Sequence, residues 1–320
     1  MVKHLSTLIG TAMILLYFSE FYFLNEGPVK TVVKALEENA LNLIPILGEL
    51  TLFYAIFAYV LLGSLHWFSV KSITDLFLVG ALVGWAIEGI IIPIVYEAVP
   101  ISIIFPSVSW HGLINVLLGW YVIRRVMRLN RVHYSIAMFT IIGLIWGAWA
   151  TWFWTDPELQ PLTPNDFTFF AIAAAALWAV GMALVDHAGT TSFRVSKWEQ
   201  RVLFVFGGGL AIMMAASAFP FSLAIIPFVW LTVRALRRPV NSSGDAIVSS
   251  LAAKPAWWQY SLIPLTPLSA SLVYPLFYNA NQGVPSETIV FILLLIGSIW
   301  LVIAWRRGFS RNSVKPQLPT

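Results

Sequence analysis

The chain has 320 residues, of which 59% are hydrophobic and 11% charged, and its 19 Lys and Arg outnumber 15 Asp and Glu for a net charge of +4. That balance excludes a soluble domain of this length. With no cysteine, disulfides, thiolate metal sites and thiol nucleophiles are excluded as well.

Windows of about 20 apolar residues, the length a helix needs to cross roughly 30 Å of hydrocarbon, fall at 5–25, 44–67, 75–95, 107–127, 133–154, 167–187, 200–217, 219–236, 258–279 and 287–306. The first opens with MVKHLSTLIGTAMILLYF and lacks a small-residue cleavage site, so it reads as a retained span. Open sheets leave backbone groups unpaired in lipid, and none of these runs alternates as a barrel strand does. The expected fold class is all-α, a polytopic integral membrane protein of about ten transmembrane helices.

Between spans one and two, GPVKTVVKALEENALNL sets Val32, Val33 and Leu36 against Lys30, Lys34 and Glu37, which suits a short interfacial helix. Between spans three and four, VYEAVPISIIFPSVSW is too apolar for a solvated loop and is broken by Pro100 and Pro106. It reads as a re-entrant segment, tolerated in a membrane only where protein or a watery cavity covers its backbone. RALRRPVNSSGDAIVSSLAAKPAWW reads as a flexible loop joining spans eight and nine. No polar linker divides the chain, so 1–310 is expected as one transmembrane domain and 311–320 as a short cytoplasmic tail. Two inverted sets of five spans also fit the count, although no residue-level match links 1–155 to 160–310.

Orientation follows from Lys and Arg. With the N-terminus cytoplasmic, 17 of the 19 basic residues fall in six inside segments, and only Lys30 and Lys34 lie outside. The expectation is a multi-pass cell-membrane protein with both termini cytoplasmic. The positive charge is then a topology signal that suits contact with anionic lipid, and it needs no nucleic acid. The acids lean the other way: Glu20, Glu26, Glu37, Glu38, Glu49, Glu88, Glu97, Asp156, Glu158, Asp166 and Glu287 belong to the outer half, and Asp75, Asp186, Glu199 and Asp245 to the inner side. Acids contribute little to topology, so insertion does not force this asymmetry.

A carboxylate near the centre of a span costs about 2.5–3.5 kcal/mol. Glu88, in the outer third of span three, is the costliest of the group. Glu20 lies one to two turns inside the outer end of span one, and Glu49 about one turn inside span two. His111 and Asn115 are four residues apart on one face of span four. Glu20, Glu49, Glu88, His111 and Asn115 are therefore expected at one depth, around an outward-facing pocket that forms a substrate or ion pathway. Glu88 and His111 form a candidate acid–base pair, catalytic if the chain is an enzyme, or two candidate ligands for a metal. A plain alternative is a neutral Glu88 bonded to a neighbouring helix. No cofactor is implied.

Other signals are weaker. WGAWATWFWTD places Trp149, Trp152 and Trp154 near the interface, where aromatic belts are routine, or as a substrate platform. FGGGLAIMMAASAF suits close helix packing. LIPLTPLSASLVYPLFYNANQ carries three prolines and reads either as a kink or as a broken helix lining a pathway.

His111 and Asn115 in HGLIN, with Glu37 and Glu38 in EEN, resemble two motifs of the CPBP (CAAX-processing) intramembrane proteases, over about 80 residues. Asn42 stands where that family's pattern has Arg, and its intermediate histidine corresponds only to His66. Glu88 followed by VPISIIFPSVSW resembles the membrane carotenoid hydratases and cyclases, whose chemistry needs an acid in an aromatic-lined cavity. Ten short-looped spans are similar in layout to the drug/metabolite transporters, and layout does not imply function.

No nucleophile elbow, paired-histidine metal motif, phosphate loop or Asp-rich prenyl-diphosphate motif is present. The leading expectation is a secondary transporter, proton- or cation-coupled through Glu88, for a small or lipophilic substrate. The alternatives are an intramembrane enzyme acting on a lipophilic substrate, of protease or of carotenoid hydratase/cyclase type, and a structural subunit of a membrane complex.

Overall fold

A computed structural model describes residues 2–24, 26–91, 93–155, 160–189, 193, 195–237 and 246–313. Arg194, Arg238, Lys315, Asp156, Glu158 and Asp245, used above for the charge asymmetry, lie outside the described residues, as does 314–320 of the expected tail. The described residues contain helices and no strand. In order these are α1 (Val2–Leu16), α2 (Glu26–Glu38), α3 (Leu43–Trp67), α4 (Ile73–Ala86), α5 (Ser107–Val122), α6 (Val132–Trp149), α7 (Pro164–Ala188), α8 (Lys197–Ser217), α9 (Ile225–Leu236), α10 (Leu265–Ala280) and α11 (Ser286–Ser313). Wide i→i+5 (π) turns extend α1 over Tyr17–Phe21 and α4 over Ile87–Ile91, and α5 winds in such turns along its length.

Nine helices among the described residues are long and apolar enough to cross a membrane. The tenth expected window, 219–236, folds as the shorter apolar helix Phe221–Leu236. At 1.5 Å per residue this covers about 24 Å against a hydrocarbon core of about 30 Å, a mismatch that local thinning of a bilayer accommodates. Pro220 marks its start, because a residue without an amide hydrogen cannot carry the preceding helix forward.

The chain divides into two compact units. The first comprises Met1–Ala58, Leu118–Ser192 and Leu251–Ile289. Its centre is the crossing of α1 and α7 at Gly10 and Gly181. A Cβ on Gly10 would lie 2.6 Å from the Gly181 carbonyl oxygen, so only glycine admits this approach. Where the π turn ends α1, carbonyls lose their helical partners and α6 supplies donors. Trp146 Nε1 donates to the Phe21 oxygen (3.2 Å) and Trp149 Nε1 to the Phe23 oxygen (3.0 Å). In return, the Tyr22 hydroxyl donates to the Ile142 oxygen (3.1 Å). Trp149 thus anchors a helix end. Tyr17 lies flat on Trp178 at 4.8 Å and edge-on to Trp146, which fills the space between α1, α6 and α7. The segment expected as an interfacial helix is α2, and its apolar face is packed into this unit, with Val29, Val32 and Ala35 buried. The three-proline stretch forms α10, a continuous helix through Pro275.

The first unit also holds a buried ionic cluster. Asp186 on α7 receives Arg124 through Nε (3.0 Å) and Nη2 (2.8 Å), Arg128 Nη2 (2.6 Å) and the Tyr260 hydroxyl (3.0 Å). Arg128 also donates to the carbonyls of Arg124 (2.7 Å) and Ala253 (2.7 Å). One aspartate thereby joins two arginines and fastens the segment leading into α10.

The second unit comprises Tyr59–Leu117, Phe193–Ser250 and Val290–Thr320. Here α4 meets the start of α5 at Gly80 and Gly112, where a Cβ on Gly80 would lie 2.9 Å from the Gly112 Cα. Ser72 and Asp75 form a capping box that satisfies the first amides of α4, and Ser196 and Glu199 do the same for α8. The Tyr59 hydroxyl donates to Glu199 (3.0 Å). Trp305 Nε1 on α11 donates to Thr232 Oγ1 on α9 (2.8 Å). No residue of α8 is fully buried, yet the helix is not solitary: its Phe204 stacks on Trp67 of α3 at 5.9 Å.

Removing Asp186 leaves two buried guanidinium groups without their carboxylate. Asp186→Ala is expected to cost about 3–5 kcal/mol, measured as a shift in the denaturant midpoint of the detergent-purified chain.

Candidate functional site: a buried glutamate–histidine pair

Helix α4 carries Glu88 in the π turn that closes it, and α5 carries His111 and Asn115. Gly84 lets the α5 backbone near Ser107 come against α4, since any side chain there would strike the Ser107 carbonyl. With the backbones this close, Glu88 Oε1 and His111 Nε2 meet at 2.7 Å. Asn115 Nδ2 lies 3.5 Å from His111 Nδ1 on the far side of the ring. An Asn115 amide donating to Nδ1 leaves the imidazole proton on Nε2, aimed at Glu88. Glu88, His111 and Asn115 are 7%, 3% and 0% exposed. The second carboxylate oxygen, Glu88 Oε2, is buried and makes no hydrogen bond to any described residue.

The structure thus joins three of the five expected pathway residues in the second unit. Glu20 and Glu49 belong to the first. Glu20 lies in the π turn after α1, is buried, and accepts a hydrogen bond from the Tyr54 hydroxyl. Glu49 is on an exposed face of α3. Glu38 is also exposed and pairs with Lys34 (3.7 Å) on α2.

The segment between α4 and α5 is folded and partly buried, with Val95, Ser102 and Ile103 inside the protein. It forms a tight 3-10 turn over Pro93–Tyr96 and a single helical turn over Ile101–Ile104.

Glu88 Oε1 and His111 Nε2 bond directly to each other at 2.7 Å. Among the described residues no group of three or more His, Asp or Glu gathers in a form suited to a metal. An imidazole and a carboxylate in direct contact can exchange a proton. A carboxylate and an imidazole share one hydrogen bond, the imidazole is oriented from behind, and one carboxylate oxygen is left over.

Two features escaped the sequence. The π turns at Glu20 and Glu88 leave no compositional mark beyond a polar residue within an apolar run. The partnership of Arg124 with Asp186 spans 62 residues, and its only signal was an arginine and an aspartate at the inner ends of two spans.

Comparison with known protein families, curated proteins and solved structures finds no match.

His111→Ala removes the donor facing Glu88 Oε1 inside the protein and is expected to cost about 1–3 kcal/mol. Glu88→Gln keeps the shape and a hydrogen-bonding oxygen and should cost under about 1.5 kcal/mol. Thermal unfolding of the two variants in one detergent checks this order.

Proposed function

We propose that the chain is a multi-pass secondary transporter, proton- or cation-coupled, with Glu88 as the coupling carboxylate and His111 and Asn115 as its partners. Its substrate is small or lipophilic. The chain resides in a cell membrane with both termini cytoplasmic, the orientation favoured by the distribution of Lys and Arg.

The observation that carries this reading is the buried Glu88–His111 hydrogen bond beside an unused carboxylate oxygen. Ionisable residues inside spanning helices are expensive and mark ion and proton pathways. A purely structural acid would be expected to have its acceptors filled, as Asp186 does. A proton arriving at Oε2 neutralises the carboxylate and removes most of its desolvation cost, which changes the relative stability of alternative helix arrangements. His111, oriented by Asn115, offers the proton a second resting place.

A second reading is favoured by the same orientation of His111. A carboxylate–imidazole pair is also a general acid–base dyad, and in a membrane its substrate would be lipophilic. Glu88 would then donate or accept the proton, with His111 as its relay.

The test uses proteoliposomes exposed to a mixed extract of small metabolites and lipids under an imposed proton gradient, with contents identified by mass spectrometry. Transport predicts at least one compound accumulated only with the gradient and lost in folded Glu88→Gln protein. Accumulation that Glu88→Gln leaves intact would remove Glu88 from the coupling role. Chemical conversion of a lipid, without any gradient, would favour the enzyme.

A further inference from the structure

Residues 93–104 are tied down at both ends to the helix that carries Glu88. Trp85 Nε1, one turn before Glu88, donates to the Ile103 oxygen (2.8 Å). The Tyr96 hydroxyl donates to the oxygen of Gly89, the residue after Glu88 (3.2 Å). Between these ties the segment holds its own shape, with Ser102 Oγ donating to the Val95 oxygen (2.8 Å). Val95, Ser102 and Ile103 are buried. Packing at Gly89 is tight: a Cβ there would lie 3.1 Å from Val95 Cγ1. The bond from Tyr96 has a clear physical cause, because the last carbonyls of a helix lack partners within it. Gly89 is in the final turn, and a phenol from the following segment takes the place of water.

We propose that residues 93–104 form a strap that shuts water away from the Glu88–His111 pair, with Tyr96 as the positioning residue that holds it closed. In this structure both ties are made and both members of the pair are buried. The bonds holding it are neutral side chain–backbone contacts, each of which biases an opening equilibrium by about fivefold. Such a latch is strong enough to set a resting state and weak enough to release. Burial raises the pKa of the Tyr96 phenol above its ordinary value, so the hydroxyl keeps its proton and remains a donor. The strap takes its functional meaning from the proposed role of Glu88 and His111, whereas its test reads water access alone and is decided without any transport assay.

The chain supplies its own reporters in five histidines, His4, His66, His111, His133 and His187. Deuterium exchange at the imidazole C2 position, read by mass spectrometry on the full chain in lipid nanodiscs, measures the access of water to each. In the wild type His111 should exchange slowest. Tyr96→Phe removes only the hydroxyl and should speed His111 about fivefold, leaving the other histidines unchanged. Should Tyr96→Phe fail to give folded protein, Ser102→Ala, which loosens the strap from within, decides with the same expected selectivity at His111. An unchanged rate at His111 in the folded variant overturns the proposal. So does a rise shared by His187 in the first unit, which would mark general loosening.

Discussion

A carbonyl released from a helix inside hydrocarbon has no water to turn to, and this constraint organises the structure. Each unsatisfied polar group costs several kcal/mol there. Both π turns release such groups, and aromatic side chains with a polar tip answer them. After α1 the indoles of Trp146 and Trp149 take the oxygens of Phe21 and Phe23. After α4 the phenol of Tyr96 takes the oxygen of Gly89. The large ring packs like any apolar group while its single N–H or O–H closes the polar account. The helix partners at each turn follow from where those rings must stand.

The same constraint leaves two buried carboxylates differently satisfied. Around Asp186, three side chains fill both carboxylate oxygens, and Arg128 spends its remaining donors on carbonyls. Around Glu88 one oxygen is bonded and the other is not. A carboxylate filled on both oxygens locks helices, because breaking its pairs leaves an uncompensated charge. A carboxylate with an idle oxygen tolerates a change of protonation with far less disruption. The acid–base character assigned to Glu88 rests on this contrast.

How far the sequence carries depends on the physics behind each feature. Hydrocarbon thickness writes itself into the length of apolar runs, so all-α architecture and nine of the ten windows were legible. Window 219–236 is there as an apolar helix, but Pro220 shortens it to Phe221–Leu236, which composition alone did not show. Glu88, His111 and Asn115 were legible as a group because α4 and α5 are neighbours in the chain and helical spacing puts His111 and Asn115 on one face. The exposed setting of Glu49 was not legible, because depth along a helix says nothing about which side a residue faces. Tyr54 as the donor to Glu20, and Tyr96 over Gly89, were invisible for a related reason. Each depends on the rotation of one element about its axis, which periodicity reports poorly when nearly every residue is apolar.

Arg124 and Asp186 also set an order of events during synthesis. Arg124 emerges 62 residues before the aspartate that neutralises it, and at bacterial-to-eukaryotic elongation rates this leaves roughly 3–12 s without a partner. Tyr260 arrives later still. A guanidinium cannot rest fully buried in lipid for that interval at low cost, so the burial of Arg124 is completed only once α7 is in place.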